Sequence, residues 1–258
     1  MKRIAIAAVA ALVVLVAAGT AFAAVNTYKA TNSFTGSKGT ASKPAPVSFN
    51  TVISVSSVTP GNRTAILHQI TTEIDGIKVD TTGFPTCTAA KINAASADTG
   101  CPKKALVASG AIKATLGPPA NFAASQGSAC DPALDVWNGG GHKLIFFFVD
   151  KGSHQCLGGQ LHTGQVPPWT ASYKQVGSKL AVTIPIPNTV DYPLGTSGNL
   201  VGSLSYESLH WVSQTMGSKH SLESVGCSGT RAYTFGFKAS LPTTAVESTS
   251  LKGSASCG

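Results

Sequence analysis

The densest set of residues able to hold a metal or move a proton is His142, His154 and His162, spread over twenty-one residues and flanked by Asp131, Asp135 and Asp150. If two neighbouring strands set His142 beside His162, imidazole and carboxylate could bind a divalent cation. None of these spacings is itself a ligand motif, so surface loops and hairpin ends are the expected setting, and no metal or cofactor is expected. A serine hydrolase is a second reading, because Ser, His and Asp are plentiful. No G-x-S-x-G elbow is present, although a triad on a β fold need leave no motif. Glycosidase carboxylates could be drawn from Asp131, Asp135, Asp150, Glu207 and Glu223, but spacing along strands does not fix a carboxyl separation.

Aromatic side chains offer a different chemistry, contact with an extracellular polymer. Trp137, Trp169 and Trp211, with Tyr173, Tyr192 and Tyr206, bring large area at little entropic cost. Trp169 follows Pro167-Pro168 in an apparent loop, which predicts an exposed contact residue, and Trp137 at a hairpin shoulder comes next. The leading expectation is a non-catalytic, exported or envelope-associated binding protein that presents loops and aromatics to a cell-envelope or extracellular polymer. Two alternatives stand beside it. One is a secreted hydrolase or metal-dependent enzyme using the His142, His154 and His162 region; the other is a carrier of apolar molecules, whose curved sheet would enclose a cavity lined by residues such as Phe146, Phe148, Tyr233 and Phe235.

The compartment follows from the first residues. Met1-Lys2-Arg3, the apolar run Ile4 to Ala18 and the small-residue stop Ala21-Phe22-Ala23 read as a secretory signal peptide over residues 1 to 23. No stable membrane insertion is expected after cleavage. In an oxidising compartment thiols pair, and six cysteines allow fifteen pairings. Proximity along the chain favours Cys87 with Cys101, Cys130 with Cys156, and Cys227 with Cys257. Each closes a loop without crossing the others. Close C-x-x-C or H-x-x-x-H pairs, which zinc would need, are missing.

Charged residues are only 12% of the chain, while Gly (27) and Pro (14) are abundant, a balance that favours short strands joined by many turns. Lys2 and Arg3 leave with the signal, so 17 basic side chains face 11 acidic ones. The bases are scattered, and only Arg63 and Arg231 remain as arginines, which argues against nucleic acid. Residues 24 to 46 are small, polar and Pro-terminated, and read as a flexible leader.

An all-β domain from 47 to 258 should follow, as a single two-sheet antiparallel sandwich or a strongly curved sheet stapled by disulfides. Val47 to Val58 and Arg63 to Ile74 read as a hairpin about Pro60-Gly61-Asn62, with Ile66, His68, Ile70, Thr72 and Ile74 on one face. Further strands are expected over Leu106 to Leu116, Leu134 to Trp137, His142 to Val149, Thr170 to Val176, Lys179 to Ile186, Leu200 to Glu207 and Arg231 to Ala239. One short helix is expected over Ala89 to Ala97. Leu144 to Val149 is apolar on both faces, as a strand buried from both sides would be.

Gly83-Phe84-Pro85-Thr86-Cys87, Cys101-Pro102 with the Gly110 strand, the Trp137-Asn138-Gly139 hairpin and Ile184-Pro185 resemble a set of secreted, disulfide-bonded proteins associated with actinobacterial genomes. The resemblance spans most of the chain after residue 23. It implies an exported all-β domain and carries over no active site.

Overall fold

The computed structural model describes residues 24–36, 38–154, 156, 166–195 and 199–257, with side chains throughout these except 150–154. Fifteen strands follow in chain order: β1 (Asn26–Gly36), β2 (Ala45–Ser57), β3 (Ile66–Asp75), β4 (Ile77–Val79), β5 (Leu106–Gly117), β6 (Ser128–Gly140), β7 (Lys143–His154), β8 (Trp169–Val176), β9 (Lys179–Pro185), β10 (Val201–Trp211), β11 (Thr215–Met216), β12 (Lys219–His220), β13 (Leu222–Ser224), β14 (Thr230–Ser240) and β15 (Glu247–Ser256). Among the described residues helix is confined to α1 (Ala89–Ala95), α2 (Asn188–Asp191) and two short 3₁₀ turns. Of the described residues 58% are strand and 8% helix, so the all-β expectation holds.

Thirteen strands join one antiparallel sheet. Its main path runs β1-β2-β10-β5-β6-β7-β8-β9-β3-β14-β15, with β13 and β4 branching from the start of β2. The two ends of this path meet. Glu247 on β15 accepts from the Val25 N–H at 2.7 Å and from the Tyr28 hydroxyl at 2.6 Å, and the Tyr28 ring stacks on Phe237 of β14 at 4.3 Å. The sheet therefore curls until it nearly closes, as the right-handed twist of long antiparallel strands encourages. The main core fills the inside of the curve, with Phe49, Ile53, Ile70, Phe146, Val182 and Phe235 among its members.

β5 and β6 pair antiparallel on either side of the 118–127 excursion, with Leu116 opposite Ser128. The β6–β7 and β8–β9 hairpins form where expected. Gly140 (φ +74°) and Gly141 (φ +55°) supply the positive φ that the first of these turns requires. Leu144 and Phe146 enter the main core while Ile145 and Phe147 pack outward under α1 with Ile92, Trp137 and the Cys87–Cys101 bridge. That strand is buried from both sides, as its composition demanded.

Three expectations need correction. Residues 26–36, read as part of a flexible leader, form a full strand paired with β2 from Asn26 opposite Ser57 to Gly36 opposite Val47. Its inward positions Asn26, Asn32 and Phe34 are buried; Asn26 Oδ1 accepts from the Ala65 N–H and Asn32 Oδ1 from the Thr51 hydroxyl, both at 2.8 Å, while Asn32 Nδ2 has no partner among the described residues. Secondly, β2 and β3 do not form a hairpin; β3 lies between β9 and β14. Arg63 redirects the chain, its terminal nitrogens donating to the carbonyls of Val201, Pro118 and Asn121 and to the Ser203 hydroxyl. Thirdly, the expected single face of β3 is broken by a bulge. Lys238 pairs with Gln69 but Ala239 with Leu67, so His68 is the skipped residue and turns outward while Leu67 and Ile70 stay in the core.

Arg231 is as buried as Arg63, donating to the Asp75 carbonyl at 2.7 Å and the Ser224 hydroxyl at 2.9 Å while its guanidinium lies over the Phe34 ring. Both remaining arginines thus act as internal clasps. The disulfides are Cys87–Cys101, Cys130–Cys156 and Cys227–Cys257, with no free cysteine among the described residues. They match the expected pairing and indicate an oxidising, extracytoplasmic setting. The signal segment lies outside the described residues, and no helix among those residues is long and apolar enough to cross a membrane.

Candidate functional site

Two apolar cavities open inside the curved sheet, of about 60 Å³ and about 90 Å³. Phe49, Ile53, Thr72, Val182 and Phe235 line the first; Leu67, Ile112, Leu134, Phe148, Trp169 and Asp191 line the second. Ile70 and Glu207 belong to both walls. Of the four aromatics expected to line a carrier's interior, Phe148 and Phe235 do so, while Phe146 and Tyr233 are packed into the core.

Glu207 reaches this position through a second bulge. Leu204 pairs with Ala114 but Tyr206 with Lys113, so Ser205 is extruded and the alternation of β10 flips. Leu204 and Glu207 then both face the cavities, where an unbroken strand would have turned one of them out. Glu207 lies opposite Ile53 of β2 on one side and Ile112 of β5 on the other. Its carboxyl is buried, has no hydrogen-bond or ion-pair partner among the described residues, and is pushed up to about 7 by desolvation.

Other polar atoms in the same walls are also unsatisfied. Thr72 Oγ1 in the first cavity, and Trp169 Nε1 and Asp191 Oδ2 in the second, have no hydrogen-bond partner. A buried donor or acceptor left unmade costs about 1–3 kcal/mol. These three atoms and the Glu207 carboxyl put four polar groups on largely apolar walls.

The remaining sequence candidates fall as follows. Trp169 is buried, not exposed: it opens β8 opposite Phe146, and its ring packs at 5.4 Å on Phe146 and 5.1 Å on Phe148. The prolines deliver it into the strand, where burying an indole outweighs presenting it to solvent. Trp137 is buried beneath α1. His142 is exposed in the β6–β7 turn at φ +62°, while the His154 backbone pairs with Asp131 at the hairpin's far end. The length of β7, at about 3.3 Å per residue, keeps these two histidines at opposite ends of the hairpin. His162 lies outside the described residues, among which no group of three or more His, Cys, Asp or Glu could hold a metal ion.

A different histidine has the geometry that the motif search lacked. His68 Nε2 is 2.7 Å from Ser240 Oγ, and His68 Nδ1 is 3.6 Å from Asp191 Oδ2. Burial pushes the Asp191 carboxyl up to about 8 and the His68 imidazole down, so at neutral pH the two stand as an uncharged acid and an uncharged base, not an ion pair. Only the bulge at His68 sets the ring beside Ser240, and a bulge leaves no trace in residue periodicity.

No family model and no curated protein matches the chain. The site must be read from its own geometry.

Proposed function

We propose that this is an exported binding protein whose ligand is a slender amphiphile, with an apolar tail in the two cavities and a neutral or cationic polar group at Glu207. One observation carries the reading: a fully buried carboxyl with no partner, placed where two apolar cavities meet. A protonated Glu207 donates to a hydroxyl or carbonyl, and an ionised one pairs with an ammonium. An ionised Glu207 repels an anionic headgroup, and beside a protonated one the anion brings a charge without a counter-charge into an apolar interior. The apolar-carrier alternative gains from this interior, while a polymer held by exposed tryptophans loses support because Trp137 and Trp169 are buried. Export rests on the N-terminal signal and is consistent with three disulfides.

The test uses the chain from residue 24 onward, oxidised, against decanol, decylamine and decanoate, which share one tail. At a hundredfold excess over Kd a ligand adds about 2.7 kcal/mol, or roughly 5 °C or more in melting temperature for a chain of this length. Decanol and decylamine should give that shift and decanoate much less, with the difference between headgroups lost in Glu207→Leu. Absence of any shift with all three tails would overturn the proposal.

A further inference from the structure

The structure assigns Ser240, His68 and Asp191 to a hydrolytic relay, with Ser240 as nucleophile toward carboxylic esters. The three come from separate elements, β14, β3 and the end of α2, so no local turn or cap accounts for their meeting. Nδ1 of His68 faces Asp191 and Nε2 faces Ser240. The tautomer with its proton on Nδ1 leaves Nε2 to accept from the Ser240 hydroxyl, which is the arrangement a general base needs.

Each member is held in place. The β3 bulge leaves the His68 side chain with 34% of its exposure, whereas Ser240 is buried, so a substrate reaches the pair from the His68 side. Ser240 pairs with Ile66 at the end of β14. Asp191 is fixed at the last turn of α2, its N–H donating to the Pro187 carbonyl, with Oδ2 making no hydrogen bond among the described residues. It neither touches substrate nor moves the reacting proton. It is a positioning residue that orients the ring and, when ionised, stabilises the imidazolium.

In the reaction the Ser240 oxygen bonds to the ester carbonyl carbon while its proton passes to His68 Nε2. The tetrahedral adduct collapses by breaking the bond to the alcohol oxygen, which takes the proton from His68. Water repeats the sequence, its proton going to His68 and back to Ser240, and releases the carboxylic acid. General-base assistance of this kind contributes about 10²–10⁴-fold, enough for activated esters.

The test uses the oxidised chain from residue 24, a fluorophosphonate probe and p-nitrophenyl butyrate. The probe should add to Ser240, located by peptide mapping, and His68→Gln should slow labelling and ester hydrolysis by about 10²-fold or more. Of the titratable groups near Asp191, His68 on β3 lies at 3.6 Å and Glu207 on β10 lines the same cavity. The labelling rate should rise with pH through about 8, where Asp191 ionises, and Asp191→Asn should remove that rise while leaving the near-UV spectrum intact. Should a variant fail to fold, mapping on the unmodified chain still decides. No adduct on Ser240 between pH 6 and 9, or labelling unchanged in a folded His68→Gln protein, would overturn the assignment. Neither outcome bears on tail binding in the cavities, which the alkyl series reads separately.

Discussion

At the residue scale, Glu207 makes folding depend on pH in an unusual direction. Its carboxyl is raised from 4.5 to about 7 by burial, so between these values the folded chain binds more protons than the unfolded one. Stability must therefore fall as pH rises through that window: the contribution is fully present below about 4.5 and lost above about 7. At 1.36 kcal/mol per unit this is of order 3 kcal/mol. Glu207→Gln, which keeps the shape and cannot ionise, should flatten the slope between pH 5 and 7 and raise stability at pH 8 by a few kcal/mol in urea titrations. An unchanged slope would place the burden on Asp191, whose burial acts in the same sense up to about 8. Sequence reading named Glu207 only as one carboxylate among five, because its inward direction depends on the bulge at Ser205. The same holds for His68. Trp169 was misplaced for a related reason, since two prolines describe the approach of a chain and not what its next residue meets.

At the element scale, β1 closes the curve and is held by side chains rather than by a ladder to β15. Glu247 is buried and accepts from both Val25 and Tyr28. Glu247→Ala removes the acceptor of the Val25 N–H and of the Tyr28 O–H, leaving the Tyr28 hydroxyl only the bond it accepts from Asn26 Nδ2, at about 1–3 kcal/mol for each lost bond, and should raise hydrogen exchange along β1 while β7 to β9 keep their protection. Between β5 and β10 the approach is tight, for a methyl at Gly110 would run into the Ser208 carbonyl. Gly110→Ala should cost several kcal/mol by forcing the two strands apart, read as a fall in melting temperature.

Strands with β-branched or alternating aromatic residues, such as β2, β9 and β14, were legible because burial wrote a period of two into them. β1 was not, because its inward positions Asn26 and Asn32 are polar, and the hydrogen bonds their carbonyl oxygens accept are not revealed by composition. The β2–β3 turn was legible as a turn, but which strands pair across it is decided by the distant Arg63 clasp.

At the scale of the whole molecule, the three bridges lie where the sheet does not secure itself. Cys87–Cys101 closes the excursion that carries α1 over β6 and β7, and Cys130–Cys156 ties the start of β6 to the segment after β7. Cys227–Cys257 fastens the open end of the β14–β15 hairpin, beside the seam where β15 meets β1. With sequence separations of 14, 26 and 30, each bridge contributes about 3–4 kcal/mol by restricting the unfolded chain. Their total is of order 10 kcal/mol, comparable with the whole stability of a typical domain at about 5–15 kcal/mol. Full reduction should therefore unfold the chain at 37 °C, whereas loss of one bridge should leave it folded and locally weakened. Replacing Cys227 and Cys257 together by Ala should remove about 3–4 kcal/mol in urea titration and lower hydrogen-exchange protection first in β15 and β1, because the seam between them has no ladder of its own among the described residues. If protection fell evenly across the sheet instead, the seam would not be the point at which the curved sheet opens, and entry of a ligand tail would have to be sought at the α2 end, beside Asp191 and Trp169.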